Sequence, residues 1–277
     1  MLAAALLFST GGVTIKATSF DAWQVAGMRS GIAAVFLALV IPRALKSLEP
    51  RVLAVALAYA STLLLFTLAT KNTTAANAIF IQDAAPFWIL LLAPLLLGEF
   101  AGRREGLIAL ALGAGVILLF LGEVDAQETA SSPLRGNLYA LAASLSWALT
   151  IMGLRGLAAR PAGKGNPAVA ATILGNALLF AFCLAVMDAP RNPSLQDWSL
   201  VFYLGIFQVG LAYICMTRAA DRLPAFEISL LLLLDAVLTP VWAYLLLNET
   251  LGALSILGIA WLLGVLILHA LSTRSET

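Results

Sequence analysis

Charged residues are scarce in this sequence, and their scarcity excludes most soluble folds. Asp, Glu, Lys and Arg together make up 11% of the 277 residues, whereas a soluble domain usually carries about 25%. Hydrophobic residues make up 61%, and the formal net charge is +1. The chain therefore has no excess of basic residues for nucleic-acid binding. Its composition indicates a protein that is embedded in a lipid bilayer.

Residues for catalysis and metal binding are equally scarce. The sequence has one histidine and two cysteines, and Cys183 and Cys215 both fall inside apolar runs, where we interpret them as small packing residues. Gly163-Lys164-Gly165 lacks the rest of a phosphate-binding loop. We therefore predict no enzymatic activity, no metal and no cofactor. A lipid-modifying membrane enzyme is a weaker alternative, since polar groups scatter at mid-depth over many apolar runs. An ion channel is another, since channels usually assemble identical subunits around a pore, whereas an internal inverted repeat suits a single-chain transporter.

Ten apolar runs are each long enough to cross a bilayer, since about 20 residues at ~1.5 Å each make ~30 Å. We expect the first run to be retained as a span rather than cleaved as a signal peptide, because no basic residue precedes it and Lys16 interrupts its end. The longest polar connection, 123–135, divides the chain into a first five-helix repeat at 1–122 and a second at 136–277. The predicted spans are 2–19, 23–42, 51–70, 75–97, 104–122, 136–157, 167–187, 198–216, 224–247 and 252–271.

Basic residues set the predicted orientation. With the N-terminus inside, the cytoplasmic segments hold about eleven Lys and Arg and the outer segments about three, in agreement with the positive-inside rule. Both termini are then cytoplasmic, and the expected location is the inner membrane of a bacterium. Because each half has an odd number of spans, the second half must run upside down, which predicts an inverted repeat around a central cavity.

Two of the apolar runs carry polar groups and proline at comparable depth. Asp83 and Pro86 lie in the run 77–99, and Asp235 and Pro240 lie in the run 227–249. A carboxylate in the membrane interior costs roughly 3 kcal/mol on insertion scales, so it needs water or a partner. Proline interrupts helical hydrogen bonding and favours kinks. The pattern predicts a transport site between the repeats, with Pro86 and Pro240 as hinges of gating segments.

Several polar and aromatic side chains are candidates for lining that site. The hypothesis for Asp83 and Asp235 is a pair facing the cavity. The alternative is that each pairs with a buried base, for which Lys16 and Arg29 are the candidates, or caps a broken helix turn. Aromatic stripes are also typical of plain helix packing. A pocket of this composition favours an amphipathic or apolar solute over sugars or phosphorylated compounds. The predicted substrate-binding residues are Lys16, Tyr59, Phe66, Asn77, Phe80, Gln82, Asp83, Trp147, Gln208 and Asp235.

Short motifs in both halves resemble those of one transporter family. Leu-Ser-Trp-Ala at 145–148, Pro86 upstream of the Gly98-Glu99 pair, and glycines in the last helix of each half resemble the EamA-like branch of the drug/metabolite transporter superfamily. The second half departs from the pattern, with Ala236 at the proline position and Asn248 in place of the glycine.

The resemblance implies an all-α membrane protein of ten helices that exports small metabolites by alternating access. The small size and aromatic-rich spans are similar to those of amino-acid exporters, including exporters of aromatic amino acids. A drug/metabolite:proton antiporter is the alternative. The implied partners are a small-molecule substrate and membrane lipid, and the chain is expected as a monomer or a homodimer joined through spans five and ten.

Overall fold

A computed structural model of the chain describes residues 1–47, 49–100, 102–122, 131–159, 165–247 and 253–274, and no β-strand occurs among them. A short 3₁₀ turn (Pro42–Ser47) and a π-helical segment (Leu204–Leu211) accompany fourteen α-helices. These are α1 (Leu2–Ser9), α2 (Gly11–Ala17), α3 (Ala22–Val40), α4 (Pro50–Asn72), α5 (Ala75–Gln82), α6 (Ala85–Leu96), α7 (Arg103–Gly122), α8 (Pro133–Ala158), α9 (Pro167–Val186), α10 (Leu195–Tyr203), α11 (Ala212–Ala219), α12 (Ala225–Leu232), α13 (Leu234–Leu247) and α14 (Ala253–Arg274).

Seven helical stretches in the described part of the chain are long and apolar enough to cross a membrane by length and composition. They are Ala22–Val40, Pro50–Asn72, Ala75–Leu96, Pro133–Ala158, Pro167–Val186, Leu195–Ala219 and Ala225–Leu246. Leu2–Ala17 and Ile256–His269 are shorter apolar stretches, and α7 coincides with the fifth predicted span. The molecule is thus a multi-pass, all-helical membrane protein, and each of the ten predicted apolar runs coincides with helix.

Polar contacts at the two ends of the bundle show that successive long helices run in opposite directions. At one end, which we call the Glu99 end, Arg155 Nε lies 3.0 Å from Glu99 Oε1 and the backbone N–H of Ala225 donates to Glu99 Oε2 at 2.8 Å. At the other, the Lys71 end, Lys71 Nζ donates to the Thr18 carbonyl at 2.8 Å. The connections between helices therefore alternate between these two ends.

Two spans are broken in mid-course, as the sequence suggested. The break between α5 and α6 follows from Pro86, whose missing N–H leaves the carbonyl of Gln82 without its helical partner and whose ring crowds that carbonyl. A matching break separates α12 from α13 at Leu233. The offset between Ala75 and Ala225 is 225 − 75 = 150 positions, and α5 and α12 are both eight residues long.

The second break does not lie at the predicted hinge. Pro240 lies inside α13, seven residues beyond Leu233 (240 − 233 = 7). An interruption at Leu233 therefore cannot arise from proline chemistry, because no proline stands four residues after Leu232. Asp235 lies in the first turn of α13, where the partial positive charge of a helix N-terminus favours a carboxyl group.

The helices α4 and α9 approach each other through a glycine. A Cβ built on Gly175 would lie 2.6 Å from the backbone oxygen of Ala56 and 2.7 Å from Cδ1 of Tyr59. Backbone atoms cannot move aside as a flexible side chain can. Only glycine therefore permits this close approach.

We expect Gly175→Ala to lower the melting temperature of the detergent-solubilised protein, because the added methyl group must push α4 and α9 apart at a cost of about 1–3 kcal/mol. Gly264→Ala is the matched control, since a Cβ there meets nothing within 4 Å. Thermal unfolding followed by tryptophan fluorescence measures both. Equal melting temperatures for the two variants would contradict the packing described for Gly175.

Candidate functional site

A small cavity lies at the centre of the bundle, where the broken helices meet α1, α4, α8 and the π-helical segment. Its volume is about 30 Å³, which is the share of one water molecule in the liquid. Its walls combine aromatic rings with a few polar tips. The lining residues are Phe8, Thr62, Leu63, Phe66, Ile79, Gln82, Trp147, Gln208, Tyr213 and Asp235.

Edge-to-face aromatic pairs build one wall of this central cavity. The ring of Phe8 lies 5.0 Å from that of Tyr213 and 5.9 Å from that of Trp147 between centroids. Tyr59 supports them from behind, with its ring 4.6 Å from Tyr213 and its hydroxyl accepting a hydrogen bond from Asn176 at 2.7 Å. Such pairs prefer this geometry and each add about 0.5–1.5 kcal/mol to packing. The wall is therefore apolar and ordered.

The carboxyl groups of Asp83 and Asp235 lie next to each other beside the cavity. Both side chains are buried. Two carboxylates at close range repel each other, so a state in which both are ionised is disfavoured. Oδ2 of Asp83 and Oδ1 of Asp235 have no hydrogen-bond partner within the described residues. The two interrupted spans thus contribute one buried pair of carboxyl groups.

Arg29 is not the partner of these carboxyl groups, so the alternative that they pair with a buried base does not hold for Arg29. Its side chain is fully buried, at 0% exposure. Nη2 donates to the Leu63 carbonyl at 2.9 Å and to Thr67 Oγ1 at 2.7 Å, and Nη1 donates to Gln208 Oε1 at 3.3 Å. All three acceptors are neutral, and Nε has no partner in the described part of the chain.

The structure brings some of the predicted site residues together and separates others. Of the ten, five line the central cavity: Phe66, Gln82, Trp147, Gln208 and Asp235. Asp83 lies behind Asp235 and also lines a separate cavity of about 170 Å³ beside α7. The remaining four are absent from the cavity wall, namely Tyr59 behind Tyr213, Phe80 in the core, Asn77 in α5 and Lys16 in the last turn of α2.

A second, larger cavity opens at the Glu99 end. This vestibule has a volume of about 950 Å³ and is lined mainly by α4, α8 and the segment after α6, with Arg51, Glu99 and Arg155 among its polar residues. Ala58 lines the vestibule and Thr62, one helical turn further along α4, lines the central cavity. The hydroxyls of Thr62 and Thr150 form a hydrogen bond of 3.1 Å. This hydrogen bond between α4 and α8 lies within the packing of the two helices, close to both cavities.

Polar contacts close the bundle at both ends. At the Glu99 end, Arg155 Nη1 also donates to the carbonyls of Ala220 and Asp221 at 3.0 and 3.2 Å. At the Lys71 end, the Asp197 carboxylate accepts from the backbone N–H of Ser19 at 2.7 Å.

These features define a class: a multi-pass helical membrane protein whose interrupted spans meet at a buried polar and aromatic cavity. The comparisons with known proteins agree. The profile of the EamA-like transporter family matches residues 1–121 and 134–270. The chain belongs to this family, which is part of the drug/metabolite transporter superfamily.

Individual proteins are also similar to this chain. A chloroplastic WAT1-related protein of Arabidopsis thaliana is 28% identical over 206 residues, which cover 69% of this chain and 47% of the plant protein. The chain thus spans about half the length of that relative. One crystal structure superposes with a TM-score of 0.77 at 21% identity, covering 99% of this chain and 96% of the other. This second likeness concerns the fold alone.

Proposed function

We propose that the chain is a secondary transporter that exports small metabolites, with amino acids bearing aromatic or other apolar side chains as the substrates. The observation that carries the proposal is the central cavity, where aromatic faces surround Gln82, Gln208 and Asp235. Ligand sites are mostly apolar with a few placed polar groups. An amino acid offers a matching apolar side chain and a polar end.

Alternating access between two inverted five-helix repeats is the proposed mechanism. The matching breaks in α5–α6 and α12–α13 support it, as does a reciprocal contact between the halves. Trp88 of the first half donates from Nε1 to Ser144 Oγ at 2.9 Å, and Trp242 of the second half donates to Ser9 Oγ at 2.9 Å. In each case the broken span of one half donates a hydrogen bond to the first span of the other half. Two such modules can exchange conformations and expose the cavity to each side in turn.

The excess of basic residues in the connections at the Glu99 end supports a cytoplasmic location for that end, and hence for both termini. In this orientation the vestibule opens toward the cytoplasm, which suits uptake of a substrate for export. The proposed cellular location is a bacterial inner membrane. Spans five and ten, α7 and α14, pack side by side through a hydrogen bond of 2.7 Å from Trp261 Nε1 to the Ala111 carbonyl, and their outer faces are proposed to contact lipid or a second copy.

Proton-coupled antiport is a second candidate mechanism, and the Asp83–Asp235 pair favours it. A carboxyl pair that shares a proton in the closed bundle can release it when water enters between the halves. The same cavity would then carry substrate one way and protons the other.

Protection of growing cells tests the proposed substrate class. Bacteria hypersensitive to toxic analogues of phenylalanine, leucine and other amino acids should grow at roughly tenfold higher analogue concentration when they express the chain, since export lowers the concentration inside the cell. Thr62→Trp fills the central cavity and should abolish the protection at equal expression. Protection against cationic drugs but against no amino-acid analogue would contradict the amino-acid assignment.

A further inference from the structure

Arg29 is a buried positive charge without a counter-ion in the described part of the chain. Its three side-chain hydrogen bonds go to a backbone carbonyl, a hydroxyl and an amide. A guanidinium keeps its charge in proteins under all ordinary conditions. The two carboxyl groups in the middle of the bundle, Asp83 and Asp235, lie next to each other instead. No acidic side chain of the described residues forms an ion pair with Arg29.

Burying the charge of Arg29 without a counter-ion costs free energy, which is hard to explain if the side chain only fills space between helices. An arginine at the centre of a membrane costs about 2.5–3.5 kcal/mol on insertion scales, and buried charges are normally paired. Three neutral acceptors satisfy some donors but leave the net charge. Ionisable groups at this depth usually mark a substrate or ion pathway. An anion that arrives from outside the chain would supply the missing charge.

Arg29 is joined to the wall of the central cavity through Gln208. Gln208 lines that cavity and also accepts the longest of the three arginine hydrogen bonds, at 3.3 Å. Its amide lies against Gly11, where an added Cβ would be 2.7 Å from Nε2. Gln208 belongs to the π-helical segment Leu204–Leu211, and such segments occur frequently at functional sites. A small rotation of this amide would present Arg29 to the cavity.

We propose that Arg29 is the residue that binds the carboxylate of the substrate, with Gln208 as its neutral stand-in when the site is empty. This inference rests on the proposed function. It assigns the carboxylate, the ammonium group and the side chain of the substrate to different parts of the cavity. Arg29 and Gln208 attract the carboxylate, Asp235 on another helix faces the ammonium group, and the rings of Phe8, Trp147 and Tyr213 contact the side chain. Because the closed cavity is only about 30 Å³, the halves must part before a substrate enters.

Paired ligands with and without a carboxylate test the assignment. Binding of L-phenylalanine and of L-phenylalaninol, which replaces the carboxylate by an alcohol, is measured by calorimetry on the purified full chain in detergent. The wild type should bind phenylalanine about 10- to 100-fold more tightly, the usual effect of a charge-assisted hydrogen bond. Arg29→Gln should bind both ligands equally weakly, and Arg29→Lys should recover part of the preference, since it keeps the charge but not the fork geometry.

Further variants keep the test interpretable if Arg29→Gln unfolds. Gln208→Ala removes the amide beside Arg29 and should reduce the preference for phenylalanine without abolishing it, because the charge of Arg29 remains. Asp235→Asn should weaken binding of both ligands by a similar factor, because both keep the ammonium group. Arg191→Gln, at an exposed arginine in the connection between α9 and α10, is the control and should behave as the wild type.

The outcomes separate the two proposals. Equal affinity of the wild type for both ligands, or a preference that survives in Arg29→Gln, would overturn the role of Arg29 and leave amino-acid transport standing. Failure of the wild type to bind either ligand, or any other apolar amino acid in the same assay, would overturn the proposed substrate class and this inference with it.

Discussion

Replacing both Asp83 and Asp235 by asparagine is expected to abolish transport driven by a pH gradient. A gradient of one pH unit stores about 1.4 kcal/mol per proton, which suffices for a tenfold substrate gradient. Wild-type protein in proteoliposomes should therefore accumulate an apolar amino acid about tenfold when such a gradient is imposed. Two amides have nearly the same shape as the two carboxyl groups, but neither can release a proton. The double variant should only equilibrate the substrate.

Two sets of controls sharpen the experiment. Asp188→Asn removes a carboxylate at the Lys71 end, beyond the end of α9, and should leave accumulation unchanged. The single variants Asp83→Asn and Asp235→Asn each keep one carboxyl group and identify which of the two releases the proton. Full accumulation by the double variant would exclude proton coupling through this pair, and a wild type that ignores the pH gradient would point to facilitated diffusion.

The sequence predicts part of the fold from chemistry that is local in the chain. Apolar runs of about 20 residues identify the spans because the bilayer sets their length. Pro86 predicts the break before α6, since proline acts on the carbonyl four residues earlier. The same reasoning does not predict the second break, because Pro240 lies inside α13 and does not interrupt it. The break at Leu233 instead repeats the geometry of the first half, which depends on packing between the halves.

The site depends on contacts between residues far apart in the chain, and these were harder to predict. The sequence identifies Gln208 and Trp147 as polar or aromatic groups in apolar spans. Only the fold shows that they line the same cavity. Phe8 and Tyr213 line it too, and nothing in their local sequence separates them from other aromatic residues of the chain. Depth alone suggested that Arg29 pairs with an aspartate. Helix rotation directs it instead toward Leu63, Thr67 and Gln208.

The closed state suggests how access could alternate. The vestibule at the Glu99 end stops at the hydrogen bond between Thr62 and Thr150, and the central cavity lies beyond it. A hydrogen bond between two hydroxyl groups contributes about 1 kcal/mol net. Separation of α4 from α8 by a few ångströms would join the two cavities. The opposite route would require separation at the Lys71 end, where Thr18 and Lys71 are joined.

This arrangement predicts that a reagent entering the central cavity can reach position 62. In a background where Cys183 and Cys215 are replaced by alanine, Thr62→Cys places a thiol on the central cavity. Thr172→Cys is the matched control, because Thr172 is an equally buried threonine that does not line the cavity. Both native hydroxyls donate to carbonyls of their own helices, at 2.9 and 2.8 Å, so the two substitutions perturb the fold in a similar way.

Labelling of these thiols by a membrane-impermeant maleimide, applied to right-side-out and to inside-out vesicles, tests the central claim most directly. If the two halves expose one shared cavity to each side in turn, the Thr62→Cys variant reacts from both sides, and saturating substrate slows both reactions. The Thr172→Cys variant then reacts from neither side. Labelling of the Thr62→Cys variant from one side only, or no labelling of it under any condition, would contradict alternating access through this cavity.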